Sequence, residues 1–431
     1  MSSPSNNTSR RTFIKNSAFA AGALIAAPQI IKAQTLGNAD KNAANSRIGL
    51  GFIGTGLIAK GHLASFPGMK EIQPIAVCDV QQSQMRKAQG ILRKKGFDGI
   101  QANTNYEDLL ANPDIDVVCI ATPDHWHAAL TIAAMKAGKD VYVEKPMTLT
   151  IEEGKAVVKA QEKYQRVLQV GSQQRSSVYF RIAANLVRNG MIGDLKEVHC
   201  NLGGFPLPPA EEQIVPVPKG FDYDRWLGPT PFFEYSKNRV LGRYKGGWRC
   251  YWEYGNRKYG DFGAHHYDIV QWALGRDDTG PVEFVPKGGD GATHNHYKYA
   301  DGITVWRDKD SQGHNIRFIG SEGEVRVSRG KIETTPKELV RHRFTDADDL
   351  VYESKEHRRN FIDCVQSREP TICPATVGNR TGAICQLSAI AERVGRSIQW
   401  DPKAQQIVGD NEAQSMQSRP RRPGYELPEL V

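Results

Sequence analysis

The sequence predicts an α/β protein that opens with a doubly wound parallel sheet. Two observations carry the prediction. From Arg47 to Val170, apolar runs of strand length alternate with helix-like segments, and repeated strand–helix alternation builds a parallel sheet covered on both faces. The first run, Ile48 to Ile53, leads into Gly54-Thr55-Gly56-Leu57-Ile58-Ala59. In a G-x-G-x-x-A turn the first two glycines allow a tight bend and close approach of a pyrophosphate. The small third residue lets the next helix pack on the strand.

The other elements follow in order. A second strand, Ile72 to Cys78, ends in Asp79. A carboxylate there accepts hydrogen bonds from both ribose hydroxyls and repels a 2′-phosphate, which favours NAD over NADP. Arg86, one or two helical turns on, softens that preference, so NADP stays possible; the alternative for Asp79 is a turn or helix cap. Met85 to Lys94 reads as helix, Ile115 to Ala121 as strand, Ala128 to Ala137 as helix and Val141 to Glu144 as strand. Ile151 to Tyr164 reads as helix and Val167 to Val170 as strand. Ligands of such sheets lie at the carboxyl ends of the strands. Thr122-Pro123-Asp124-His125-Trp126-His127 and Glu144-Lys145-Pro146 both fall there, so both are expected to border a nicotinamide.

The two ends are read separately. Ser9-Arg10-Arg11-Thr12-Phe13-Ile14-Lys15, a weakly apolar run from Ala18 to Ala27, and Ile31-Lys32-Ala33 as a cleavage site form a twin-arginine export pattern. The alternative is a disordered basic tail. The expectation is an exported, periplasmic protein with a signal peptide over 1–33 and a polar linker over 34–46. Removing the four basic residues of the leader lowers the formal charge from +8 to +4. That is too mild to argue for nucleic acid. No apolar run has the length of a bilayer-spanning helix, so no membrane insertion is expected. Seven cysteines without metal-type spacing point to core thiols, Cys78 and Cys119 among them. Arg419, Arg421 and Arg422 read as part of a solvated tail or arm.

The glycine turn, Thr122-Pro123-x-x-x-His127-Ala128, Glu144-Lys145-Pro146 and Asp261-x-x-x-His265 together resemble the Gfo/Idh/MocA oxidoreductases, from about Arg47 to about Trp400. With the leader and the stretch Trp248 to Leu274, the chain is most similar to an exported branch that includes glucose–fructose oxidoreductase-type proteins. The resemblance implies a dinucleotide domain over 47–170. It also implies an α+β substrate and oligomerisation domain over 171–398, with a large, mostly antiparallel open sheet, and an arm over 399–431. Period-two alternation at Gly302 to Trp306, Ile316 to Ile319 and Glu324 to Val327 agrees. So do a strand at Lys196 to Leu202 and helices at Val178 to Arg188, His357 to Val365 and Val377 to Val394. The aromatic, Gly- and Pro-rich stretch Gly203 to Gly247 reads as a long functional excursion.

Carried over, the family's catalytic trio is Lys145, Asp261 and His265. A histidine near neutrality can take a hydroxyl proton, and a lysine can stabilise developing alkoxide charge. Asp261, four residues before His265, would share its helical face and orient it or bind a hydroxyl; a bare N-cap is the alternative. Asp268 is placed to fix one of the histidines. The resemblance implies a tightly bound NAD held by Gly54, Gly56, Leu57, Ile58, Asp79, Ala121, Thr122, Pro123, His127, Glu144, Lys145 and Gln173. For the substrate the candidates are Gln174, Arg175, Tyr179, Trp248, Arg249, Tyr254 and His266, with Tyr251 beside them; ordinary packing is the alternative for each aromatic. His294 and His296 match no zinc pattern and read as a polar loop, so no metal is expected.

The implied activity is hydride transfer to or from a sugar, cyclitol or glycoside hydroxyl. A redox-neutral glycosidase and a non-catalytic sugar-binding protein are the alternatives. Expected partners are a small sugar or polyol, the twin-arginine machinery and further copies of the chain, as a dimer or tetramer.

Overall fold

The computed structural model describes residues 47–429 except 205–206, 244–245 and 311–312. The expected leader and most of the linker lie outside these residues. Ile48 to Val431 groups as one compact unit.

Six strands form the first sheet: β1 (Ile48–Ile53), β2 (Ile72–Cys78), β3 (Gln101–Asn103), β4 (Val117–Ile120), β5 (Asp140–Val143) and β6 (Leu168–Val170). Their order is β3-β2-β1-β4-β5-β6, and every pairing is parallel. The order reverses between β1 and β4, so the crevice opens where the glycine turn and Ala121-Thr122 meet. β3 has no counterpart in the sequence reading. It is a three-residue polar edge strand, exposed at two positions, with no apolar pattern to announce it.

The helix expected from Ala128 begins earlier, over Asp124–Lys136, with Pro123 at its N-cap. An acid at the first helical turn suits the helix dipole. The stretch expected to border the nicotinamide is therefore the helix start, and His125 and His127 are buried in it. Ile151–Tyr164 starts with a reciprocal cap between Thr150 and Glu153.

Nine further strands form the second sheet: β7 (Leu195–Cys200), β8 (Glu283–Val285), β9 (His296–Lys298), β10 (Thr304–Arg307), β11 (Ile316–Gly320), β12 (Glu324–Ser328), β13 (Lys331–Thr335), β14 (Ile398–Asp401) and β15 (Gln406–Val408). The order is β13-β12-β11-β7-β10-β9-β8-β14-β15. Among the pairings, β7–β10 is parallel, and the others described are antiparallel. Val198, Val305, Phe318 and Val325 are buried on the same core as Ile120 and Val143 of the first sheet and Met147 just after it. His296 is not in a loop: it opens β9, and its ring packs on Trp306 at 4.3 Å.

The tail departs most from expectation. Beyond β15 it docks on its own chain. Arg419 bonds the Trp252 carbonyl and Asn256 Oδ1 (2.6 Å), and lies over the Trp252 ring. Arg421 pairs with Glu153. Arg422 donates to the Gly228 carbonyl at 2.7 Å and to Asp224 at 2.5 Å. These arginines looked solvated because their acceptors lie hundreds of residues away. Replacing Arg419 with Ala removes two donors and a stacked cation, so it is expected to cost about 1–3 kcal/mol. Thermal unfolding followed by circular dichroism checks this; an unchanged melting temperature would refute the docking role.

Candidate active site

A cavity of ≈ 520 Å³ lies over the carboxyl ends of β1, β2 and β4. Gly54, Gly56, Leu57, Ile58 and Asp79 line one wall, and Ala121, Thr122 and Pro123 another. Phe221, Trp226, Tyr235 and Trp248 from the long excursion cover it. Gly54 has φ +80°, and a Cβ there would stand 2.7 Å from the Thr122 nitrogen. Only glycine fits that turn. A Cβ on Gly56 would meet nothing within 4 Å, so this backbone faces open cleft, as close approach of a pyrophosphate requires. Asp79 stands at the cleft and caps the glycine turn. It lines the cavity, while Oδ2 accepts from Thr55 N (2.8 Å) and Oγ1 (2.9 Å), and Oδ1 from Gln81 N (2.9 Å).

At the inner end, Lys145 and Asp261 meet. Lys145 Nζ donates to Asp261 Oδ1 at 3.0 Å and to the Asp261 carbonyl at 3.1 Å. Asp261 sits in a π-helical turn, Tyr259–Gly263, that runs into the α-helix Ala264–Ala273. The wider turn alters the expected i,i+4 stacking of Asp261 on His265. Its carboxylate serves cations instead: besides Lys145, Arg249 Nε lies 3.8 Å and Lys258 Nζ 4.0 Å away. Burial opposes ionisation of Asp261, yet the charges of Lys145, Arg249 and Lys258 hold its pKa below the ordinary value.

His265 is buried, and its Nδ1 has no hydrogen-bond partner among the described residues. Burial first, then the charges of Lys145 and Arg329, push its pKa well below the usual 6.5. The ring is neutral and resists taking a proton permanently. His266 is pushed down to about 3, chiefly by burial. It packs against Phe262 at 5.5 Å, and Phe262 stacks on His314 at 4.1 Å.

Several expected contacts become braces. His127 Nδ1 faces the Pro146 carbonyl at 2.7 Å and Nε2 the Thr122 carbonyl at 3.0 Å. The neutral ring carries one N–H and so donates to one of these carbonyls at a time, bracing the two strand-end loops. Gln173 donates to Glu144 Oε1 at 2.9 Å and to the Tyr142 hydroxyl at 3.2 Å. Glu144 also accepts from His62 Nε2 at 2.9 Å. Arg358 donates to His62 Nδ1 at 3.0 Å, so Nε2 must carry the ring hydrogen. Burial opposes ionisation of Glu144, but the His62 bond and the Lys145 charge keep its pKa low.

The substrate candidates divide. Arg175 is 1 % exposed and bonds Asp268 (2.8 Å) and both oxygens of Asp277 (2.8 and 2.7 Å). It is an internal ion-pair centre and cannot face a sugar. Asp268 serves Arg175 and Thr381 (3.1 Å), not a histidine. Tyr254 is fully buried against Trp226 at 4.8 Å, in an aromatic cluster with Tyr251. Tyr179 is half-buried against the core. Trp248 and Arg249 line the cleft, with the guanidinium 4.2 Å over the indole. Gln174 is buried with neither amide atom bonded among the described residues, which leaves it free to serve a ligand. Sequence reasoning placed Asp124 only in a stretch bordering the nicotinamide. It faces a small chamber beside Lys145, Asp261 and Arg249, and its only signal was its place after Thr122-Pro123.

A dinucleotide cleft with the Lys145–Asp261 pair in its inner chamber defines the class: a nicotinamide-dependent oxidoreductase. Residues 48–172 match the family described as "Oxidoreductase family, NAD-binding Rossmann fold", and residues 201–427 match "Oxidoreductase family, C-terminal alpha/beta domain". The chain belongs to the Gfo/Idh/MocA oxidoreductase family. A glycosyl hydrolase family 109 protein of Shewanella baltica is 32 % identical over 205 residues, 44 % of this chain and 45 % of that one. An alpha-N-acetylgalactosaminidase of Shewanella oneidensis is 30 % identical over the same shares. The matched part is thus about half the length of these relatives. Among solved structures, the WlbA dehydrogenase of Bordetella pertussis, in complex with NADH and UDP-GlcNAcA, has a TM-score of 0.60 at 19 % identity, over 82 % of this chain and 99 % of that one. The aldose–aldose oxidoreductase of Caulobacter crescentus scores 0.57 at 18 % identity, over 82 % and 99 %. Both structural likenesses are to the fold.

The two glycines separate fold from binding. Gly56→Val is expected to keep the melting temperature and weaken NAD binding at least tenfold, whereas Gly54→Val loses both. Calorimetric titration with NAD beside thermal melts reads the two effects.

Proposed function

We propose that the protein moves a hydride between a tightly held NAD and a hydroxyl-bearing carbon of a sugar, cyclitol or glycoside. The observation that carries this reading is the Lys145–Asp261 pair, closed at 3.0 Å beside the nicotinamide end of the cleft. The bound cofactor supplies the two-electron acceptor. The chain's own residues do the rest. Asp261 holds the Lys145 ammonium in place, and the ammonium stabilises negative charge developing on the substrate oxygen. Neutral His265 hydrogen-bonds the same hydroxyl and orients it. Trp248 offers an apolar face at the wall of the cleft.

The twin-arginine pattern supports action outside the cytoplasm. Free NAD is scarce there, so the cofactor would travel bound and be regenerated on the enzyme by a second carbonyl compound. A redox-neutral glycosidase, with oxidation, elimination and re-reduction of one glycoside, is the second reading. The match to glycosyl hydrolase family 109 proteins favours it.

The test is to denature the purified protein and identify any released nucleotide, then to screen sugar pairs and glycosides without added cofactor. Near one NAD per chain with sugar-to-sugar redox exchange supports the first reading. Glycoside cleavage without net NADH supports the second. Lys145→Met is expected to lower turnover at least ~100-fold with the nucleotide retained; undiminished turnover removes Lys145 from the chemistry.

A further inference from the structure

Four carboxylates stand along the cleft and its inner chamber, and three are committed. Asp79 holds the glycine turn, Glu144 takes His62 and Gln173, and Asp261 takes Lys145. The fourth, Asp124, has no hydrogen-bond donor to its carboxyl among the described residues. It is 5 % exposed, at the first position of the helix Asp124–Lys136. What surface it keeps faces a chamber of ≈ 20 Å³ that Lys145, Asp261 and Arg249 also line. That volume suits one water among polar groups. Gly260 lines the chamber too, and a Cβ there would stand 3.3 Å from Asp124 Oδ2, a contact tighter than ordinary packing.

Resting on the oxidoreductase reading, we propose that Asp124 holds the proton of the reaction. The substrate C–H leaves with its electron pair for the nicotinamide. The substrate O–H proton passes to Lys145 as Lys145 gives one of its own, through water in the chamber, to the Asp124 carboxylate. The products are one carbonyl compound, one reduced dinucleotide and one protonated Asp124. The reverse steps on a second carbonyl compound restore the alcohol, the oxidised dinucleotide and the carboxylate. The proton then stays on the protein between half-reactions, as the electron pair stays on the cofactor.

The electrostatics around Asp124 agree. Burial raises its pKa, Arg249 and Lys145 pull it back, Asp261 pushes it up, and Arg419 of the tail pulls it down; the result is about 7. The chamber's other groups are not available for the task. His127 faces two carbonyls, Glu144 is held ionised, and Arg257 bonds Glu392 at 3.1 Å. His265 is pushed well below 6.5 and does not keep a proton near neutrality.

The first measurement needs no substrate. Holoenzyme and its Asp124→Asn variant are melted between pH 5 and 8.5. The folded carboxyl has a pKa above the unfolded value of about 3.9. Between the two, the folded state binds a proton that the unfolded chain lacks, so stability falls as pH rises. The wild type is expected to lose melting temperature relative to Asp124→Asn up to about pH 7 and to level off above it. Lys145→Met, lacking a nearby cation, moves that levelling to higher pH. A gap between wild type and Asp124→Asn that does not vary with pH overturns the proposal.

The second measurement is single-turnover reduction of the bound dinucleotide, with glucose and myo-inositol as probes, in weakly buffered indicator. Reduction removes the positive charge of the nicotinamide and so raises the proton affinity of Asp124; near pH 7 the wild type is therefore expected to release less than one proton per dinucleotide in this half-reaction. Asp124→Asn releases one per dinucleotide reduced, at least tenfold more slowly, and loses the rate limb near pH 7. A variant that keeps that limb and releases no proton overturns the proposal. If neither probe reduces the dinucleotide while the melts behave as stated, the oxidoreductase reading is what fails, and Asp124 remains a titrating group coupled to Lys145.

Discussion

The Lys145–Asp261 ion pair is the constraint on which the site depends. Lys145 follows β5 of the parallel sheet, and Asp261 lies in the turn that leads the helix Ala264–Ala273 onto the second sheet. Their side chains are 10 % and 11 % exposed. A buried pair of this kind contributes little against an apolar replacement, but losing one partner strands the other and costs about 3–5 kcal/mol. The pair therefore ties the loop after β5 to the π turn. The second bond, from Lys145 to the Asp261 carbonyl, fixes the direction of the ammonium as well as its position.

The same cations set the character of the histidines. One carboxylate shared by Lys145, Arg249 and Lys258 stays ionised. An imidazole beside those charges, and out of water, stays neutral. Proton affinity at the site is thus drawn away from the histidines and toward a carboxyl. From spacing alone the histidine looked like the natural base. Burial reverses that ranking, because it penalises a protonated histidine and an ionised aspartate alike.

What the sequence disclosed follows from the range of the forces involved. The parallel sheet was legible because its buried strands are short apolar runs bounded by turn residues. The glycine turn was legible because only glycine takes φ +80° against the Thr122 backbone. β3 was not, since a three-residue polar edge strand carries no pattern. Asp261 and Lys145 were reached through family resemblance; no local rule joins residues 116 positions apart. The failures at Arg175 and Asp268 share a cause. Arg175 looked available for a ligand and Asp268 for a histidine, because the partners they take instead, Asp277 included, are brought near only by the fold. The π turn was hidden too: periodicity resolves a helix but not one extra residue in its first turn.

Retention of a dinucleotide is decided less by the glycine turn than by what covers the cleft. The turn is open to solvent chemistry by construction, since a phosphate must reach its backbone. The cover has a small core of its own: Tyr223, Trp226, Tyr235, Trp248, Tyr251 and Tyr254 pack together, with Arg239 over the ring of Tyr251. The tail fastens this cover. Arg422 grips the Gly228 carbonyl and Asp224. Tyr425 packs on Trp126 at 5.6 Å, and Trp126 both lines the cleft and donates to the Trp226 carbonyl at 3.0 Å. Opening the cleft would break a buried aromatic cluster together with several charged hydrogen bonds from one short segment. Such losses are cooperative, so the same packing that builds the cover opposes opening of the cleft. The closed cycle proposed above requires a cover of this kind, because the dinucleotide has to stay in place between two half-reactions.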